Sequence, residues 1–362
     1  MSVTEHPEIP VEQRPGRAAG TDHSGRFEPY ARVPIDDGWD PGEAPPPVRT
    51  DVREERPRSV ITRNSSPDIP FDRSINPYRG CEHGCIYCFA RPSHAYLGLS
   101  PGLDFETKLF AKPNAPEVLA RELSKPSYRP RTIAIGTNTD PYQPVERDRR
   151  IMRGILEVLL ELRHPVGIVT KGTLIERDID LLSQMARLNL VRVGVSVTTL
   201  DRHLARVMEP RVPAPQRRLQ TIRALTGAGI EVRVMASPII PALNDHEVER
   251  ILQAGKEAGA VAASWIMLRL PREVSPLFQD WLQAHFPDRA ARVMGHVRAM
   301  HGGQDYSPEW GRRMRGEGAY AEMIAARFRR AAARLGLDAS LPPLDCGRFR
   351  VPPRPGDQLS LF

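Results

Sequence analysis

Long apolar runs are missing from this 362-residue, 40.5 kDa chain. The mean hydropathy is −0.40, and no stretch approaches the roughly 20 consecutive apolar residues that cross a bilayer. A basic leader followed by an apolar segment is missing as well: the first residues read MSVTEHPEIP, which argues against a secretory route and sets the expectation of a cytoplasmic protein. Cysteine is scarce, with four in the chain, and in a reducing compartment these are expected as thiols rather than disulfides. Lysine is scarcer still, at 5 of the 51 basic residues, so almost all the positive charge is arginine.

What is present is unevenly placed. Residues 1–60 carry 8 Arg against 12 Asp and Glu, net −4, and the other 302 residues carry 43 Lys and Arg against 32 Asp and Glu, net +11. Arginine suits bidentate phosphate contacts, so the basic body permits a nucleic-acid partner. A coding bias toward Arg, Ala, Pro and Gly gives the same composition, so charge alone does not demonstrate one. The first 60 residues hold 10 of the 36 prolines and no sustained hydrophobic period, which predicts an arm over 1–67 without fixed structure. Val351 to Gly356 reads as a Pro/Gly linker into a flexible tail over 351–362.

Between these limits, β-branched runs alternate with amphipathic stretches. Thr132–Ile135, Val166–Val169, Val191–Val197, Ile230–Met235 and Ser264–Leu268 read as buried strands. Ser74–Arg79 reads as a first strand before them. Asn114 with Glu117 and Asn244 with Glu247 have capping-box spacing. Six βα units predict an α/β fold, a parallel sheet curling into a partial (βα)6 TIM-like barrel over 68–300, with its chemistry at the C-terminal strand ends. Pro276–His285, Arg289–Met300 and Tyr320–Leu335 are helical in pattern, the last in a C-terminal extension over 301–350.

Cys81, Cys85 and Cys88 sit in Gly-Cys-Glu-His-Gly-Cys-Ile-Tyr-Cys, directly after the first expected strand. Spacings of three and two residues let three thiolates ligate three irons of a [4Fe–4S] cluster and leave the fourth iron open. Zinc, with His83 or Cys346 as a fourth ligand, is the alternative, although structural zinc usually draws on paired two-ligand clusters.

Cys-x3-Cys-x2-Cys with an aromatic before the third cysteine resembles the signature of the radical S-adenosylmethionine (radical SAM) superfamily. The resemblance implies a [4Fe–4S] cluster on Cys81, Cys85 and Cys88 and S-adenosylmethionine chelating the free iron. It implies reductive cleavage of that cofactor to methionine and a 5′-deoxyadenosyl radical, with an electron donor such as flavodoxin or ferredoxin. It places Tyr87 against the adenine through its backbone, and Thr137, Asn138, Thr139 and Asp140 where the superfamily holds the cofactor's amino group. Lys171 becomes a candidate for the methionine carboxylate or a substrate phosphate, Ser196 for the ribose, and Arg211 for a carboxylate or phosphate. Asn76-Pro77-Tyr78-Arg79-Gly80 together with Thr137-Asn138-Thr139-Asp140-Pro141-Tyr142 is most similar to the branch related to spore photoproduct lyase, which repairs DNA. That enzyme uses a cysteine as hydrogen donor. No cysteine lies between Cys88 and Cys346 here, so Cys346 or Tyr142 is the candidate donor.

The last five residues, Gln358 to Phe362, resemble the pentapeptide by which bacterial repair proteins dock on the sliding clamp. The expected function is a radical SAM enzyme acting on DNA, or less readily RNA. A peptide or small-molecule substrate is the alternative, and a non-catalytic zinc-binding interaction module a third reading.

Overall fold

Runs of valine and isoleucine with both faces buried are what a sheet covered by helices requires, and they fall where expected. In the computed structural model, which describes residues 16–28, 30 and 48–352, the strands in chain order are β1 (Asp51–Glu54), β2 (Thr62–Arg63), β3 (Arg73–Ile75), β4 (Tyr78–Arg79), β5 (Lys108–Ala111), β6 (Ile133–Ile135), β7 (Val166–Thr170), β8 (Val191–Ser196), β9 (Val232–Ile239) and β10 (Ala262–Met267). β3, β6, β7, β8, β9 and β10 pair in parallel in that order, and β2 adds an antiparallel edge next to β3. The six parallel strands of the expected partial barrel are therefore present, open between the β2 and β10 edges. A second sheet, β1-β5-β4, stands beside the first.

Amphipathic helices cover the sheet. Helix Ile151–Glu161 presents Ile151, Ile155, Leu156 and Leu159 to the core, and helix Gly318–Leu335 presents Ile324 and Phe328. Removing apolar surface from water at about 25 cal/mol per Å² is the main stabilising term. Among the described residues no helix is long and apolar enough to cross a membrane.

Four expectations need correction. The single first strand is broken at Asn76-Pro77, because proline has no N–H to give the ladder: β3 joins the main sheet while β4 turns away to pair with β5. The arm is structured where it is described. Arg17, Ala18 and Ala19 are buried, β1 pairs with β5, and Val60 lies in the main core. Composition showed only that this segment has no core of its own; it folds by docking on a surface the barrel supplies. Neither asparagine caps a helix through its side chain. Asn244 instead accepts from Ile240 N at 2.6 Å and donates to Thr198 O at 2.8 Å, satisfying buried backbone groups between two strand-end loops. Finally, the only α-helix in the extension is Gly318–Leu335, preceded by turns over 301–317. Residues 338–350 have no regular structure apart from a short 3-10 turn at Cys346–Arg348, and Asp345 and Arg350 bond backbone just before β8 and β7. The tail pentapeptide lies outside the described residues.

Candidate active site

The thiol loop leaves β4 and is held by an arginine that the motif did not announce. Arg91, fully buried, uses its donors on four carbonyls and one carboxylate: Cys85 O at 3.0 Å, Gly84 O at 3.0 Å, Pro101 O at 3.1 Å, Gly102 O at 2.9 Å and Glu106 Oε1 at 2.6 Å. Glu106 also accepts from the amides of Ala18 and Ala19, so the N-terminal segment is stitched to the back of the loop. Gly84 has φ +64°, and a Cβ there would meet Glu106 Oε2 at 2.6 Å, so only glycine fits. Gln143 clamps the other flank, accepting from Glu82 N at 2.8 Å and donating to Gly80 O at 3.2 Å.

Cys81, Cys85 and Cys88 are free thiols on this braced turn, the first two buried. Burial pushes the Cys81 thiol up and Cys85 up to about 12, so a bound metal has protons to displace. Two neighbours favour the anionic sulfur: the Asp140 amide hydrogen-bonds Cys81, and the Lys171 ammonium lies close to Cys85. Among the described residues no three His, Cys, Asp or Glu side chains converge on a single ion. A [4Fe–4S] cube asks for a different donor set, one thiolate for each of three irons, and three soft ligands on a loop with N–H and cationic support fit it.

The strand ends facing the loop carry two charged clusters. At the end of β6, Asp140 accepts from Thr170 Oγ1 at 2.6 Å, Lys171 N at 2.7 Å and Tyr142 N at 2.9 Å, and its Oδ2 lies 3.3 Å from His83 Nδ1. Burial alone would raise its acid, but His83 and these hydrogen bonds hold it down to about 2. After β8, the buried Glu209 accepts from Tyr87 Oη, from Thr198 Oγ1 at 2.7 Å and from Arg218 at 2.6 Å. Burial works against its charge, yet Arg218 and Lys171 outweigh it and lower its pKa. Lys171 lies between the clusters with its ammonium 5.7 Å from the Tyr87 ring centroid. Burial would lower its pKa, and Cys85, Glu209 and Asp140 raise it. The mouth thus holds two ionised carboxylates and an ammonium close to the thiols.

Several expected residues are already engaged within the fold, and two lie away from the mouth. Thr139 donates to Tyr78 O at 3.1 Å, and Ser196 donates to Ser237 O at 2.9 Å. Arg211 pairs with Glu82 at 3.2 Å, while Glu209 takes Arg218 as its partner. Tyr142 is buried in the main core, its hydroxyl in the field of Asp178 and Glu146 behind the strand ends. Cys346 is at the opposite edge: Asp345 N donates to Asn189 O just before β8, and Arg350 N donates to Leu162 O before β7. Neither is placed to return a hydrogen atom at the mouth. Thr137 and Asn138 line a side cavity of about 540 Å³ between the two sheet edges. Phe89, Lys112 and Arg269 line it too, and Met314, whose carbonyl accepts from Met267 N of β10, closes it.

Arg91, Gln143, Arg218 and Arg269 carry no motif. Arg218 had one legible sign: it shares a helical stripe with Ile222 and Leu225, where a charge needs a buried partner.

Comparisons with known proteins agree with this geometry. Residues 75–254 match the Radical SAM superfamily. An uncharacterized protein of Mycobacterium tuberculosis is 37% identical over 273 residues, which are 72% of this chain and 80% of that one. An uncharacterized protein of Methanocaldococcus jannaschii is 27% identical over 215 residues, covering 59% of this chain and 76% of that one. Among solved structures, spore photoproduct lyase complexed with dinucleoside spore photoproduct superposes with a TM-score of 0.56 at 15% identity, over 78% of this chain and 79% of that one. A double mutant of that lyase with bound AdoMet and the dinucleoside spore photoproduct gives 0.56 at 14% identity, over 78% of each chain. Its sequence, fold and thiol loop make this chain a member of the radical SAM superfamily, whose [4Fe–4S] cluster and S-adenosylmethionine are its cofactors.

Proposed function

We propose that the protein is a cytoplasmic radical SAM enzyme that cleaves S-adenosylmethionine reductively and acts on DNA. The observation that carries the first half is the braced loop of three free thiols under a mouth of two carboxylates and one ammonium. When bound, the cluster and S-adenosylmethionine supply one-electron cleavage of the sulfonium and a radical that takes a hydrogen atom from substrate. The chain's residues bind and orient. Cys81, Cys85 and Cys88 would each hold one iron, with Arg91 and Gln143 fixing the turn. Lys171 faces the mouth as a cation for the cofactor's carboxylate. Asp140 places His83 and the Lys171 amide, Thr137 and Asn138 would supply polar groups beside the first strand, and the Tyr87 main chain would meet the adenine. Ser196 retains acceptor capacity for the ribose, and Arg211 guards the rim.

Three features support DNA as substrate: the basic body of net +11, a side cavity with four cations and no carboxylate in its lining, and a fold shared with a lyase solved with a dinucleoside lesion. Hydrogen return by Cys346 is not part of this proposal, because that thiol lies at the far edge. A flavodoxin or ferredoxin would deliver the electron, and Gln358 to Phe362 would tether the enzyme to the sliding clamp. The test is anaerobic reconstitution followed by a 5′-deoxyadenosine assay with and without UV-irradiated DNA. Turnover stimulated by DNA is the expected result. Turnover stimulated instead by a peptide or small metabolite, with no DNA binding at low salt, would refute the substrate class.

A further inference from the structure

The lining of the side cavity carries charge of one sign. Its lining includes Arg79, Lys112, Arg269 and Arg313 and no Asp or Glu. Two of the four are answered from outside the lining, Arg79 by Glu55 at 2.8 Å and Arg313 by Asp68. The other two make no close ion pair among the described residues: Glu55 acts on Lys112, and Asp68 on Arg269, only through their fields. Lys112 donates only to Asn76 O, at 2.9 Å. Arg269 reaches the Tyr306 hydroxyl at 3.2 Å and lies 4.6 Å from the centroid of the Phe89 ring, and its buried Nε has no hydrogen-bond partner among the described residues. An unmet buried donor costs about 1–3 kcal/mol, more when charged. A guanidinium over an aromatic ring, with its Nε unmet, suits a planar or tetrahedral oxyanion.

We infer that this cavity is a nucleotide site, in which the Arg269 fork holds a phosphodiester of a DNA strand and Lys112 supplies a second positive charge. The inference rests on the DNA reading above and adds the residues that grip the strand. The volume of about 540 Å³ falls within the roughly 300–1,000 Å³ of small-ligand sites. Phe89 is 39% exposed, an unusual state for a phenylalanine beside a cavity, and it offers a base an aromatic surface. Thr137 and Asn138 bring hydrogen-bonding groups to the same wall. Phe89 directly follows Cys88, so a nucleotide seated here lies next to the thiol loop, where a hydrogen atom would be taken. A carboxylate metabolite would satisfy Arg269 but leave the aromatic face and the second cation unused.

Fluorescence anisotropy of the full chain with a fluorescein-labelled 12-mer single-stranded DNA, and with RNA of the same sequence, tests this between 25 and 200 mM salt. Arg269→Gln should weaken DNA binding at least tenfold at 50 mM salt and lower the slope of log K against log salt by about 0.7, the value for one phosphate contact on a single strand. Arg269→Lys, which keeps the charge and loses the fork, should weaken binding several-fold with the slope unchanged. Phe89→Ala should do likewise, by lost stacking. Arg192→Gln, which removes a cation paired with Glu231 at the far edge, should leave both quantities unchanged. Wild-type binding with Arg269→Gln and Lys112→Gln unaltered in affinity and slope would overturn the cavity assignment and leave the DNA reading standing. No binding by wild type at 25 mM salt would overturn both, and RNA bound tenfold more tightly than DNA would overturn the choice of DNA.

Discussion

Replacing Arg91 by lysine isolates the brace beneath the thiol loop. Arginine has five N–H donors in a fixed fork and lysine three on a flexible stem. In the wild type Arg91 makes bonds to four carbonyls and to Glu106, with both side chains of the ion pair fully buried. A lysine can keep the ion pair and about two carbonyls. Two carbonyls, from the set that includes Gly84 and Cys85, are then orphaned at about 1–2 kcal/mol each, so Arg91→Lys should cost roughly 2–4 kcal/mol. Arg91→Met also strands the Glu106 carboxylate, and breaking a buried pair costs about 3–5 kcal/mol. Urea unfolding of the apo-protein measures both costs. Because two of the four carbonyls, Gly84 O and Cys85 O, belong to the loop, iron bound per chain after anaerobic reconstitution should fall in the same order. Arg91→Met combined with Glu106→Gln should be less damaging than the two single changes added together, because neither partner is left charged alone. Variants within about 0.5 kcal/mol of wild type, or lost stability with full iron loading, would refute the brace.

Three further outcomes follow from the geometry. His164 is buried, with Tyr128 Oη at 2.8 Å from Nε2 and Pro165 O at 3.0 Å from Nδ1, and burial depresses its pKa to about 4. Its unfolded value is near 6.5, so the folded state binds fewer protons. The stability it contributes is fully present above pH 6.5, falls as pH drops and levels off below pH 4. The total is about 3 kcal/mol, and His164→Gln should flatten that limb in urea titrations run between pH 7 and 4. Cys346→Ser should leave the rate of 5′-deoxyadenosine formation within about twofold of wild type, since the residue lies at the N-terminal strand edge; a tenfold loss would return Cys346 to the mechanism. Gly84→Ala forces a left-handed backbone and a Cβ 2.6 Å from Glu106 Oε2, so iron loading should drop severalfold, and unchanged loading would show that the turn is looser than described.

Short-range patterns survived the passage from sequence to structure, and long-range pairing did not. β7 begins at Val166 and β8 at Val191, as their β-branched runs indicate, and helix Gly318–Leu335 contains the expected Tyr320–Leu335. These elements are set by periodicity and burial, which act locally. The site was legible only as far as its motif. Glu209 is two residues from Arg211 in the sequence, yet its partner is Arg218, because that residue's helical face turns into the core beside the loop. Arg91 and Glu106 belong to no motif in the sequence. Their meaning depends on carbonyls brought together by the loop and on amides delivered by residues 18 and 19. The arm was misread for the same reason, since composition reports whether a segment can bury itself and is silent on whether another surface will receive it.

A cluster on Cys81, Cys85 and Cys88 that opens S-adenosylmethionine by reduction would show itself in 5′-deoxyadenosine formed per chain by the anaerobically reconstituted, dithionite-reduced protein, with iron and sulfide counted in the same sample. The expected result is about four irons and four sulfides per chain, product formed on addition of S-adenosylmethionine, and loss of both in Cys85→Ala. A colourless protein holding one zinc per chain and forming no 5′-deoxyadenosine would contradict it.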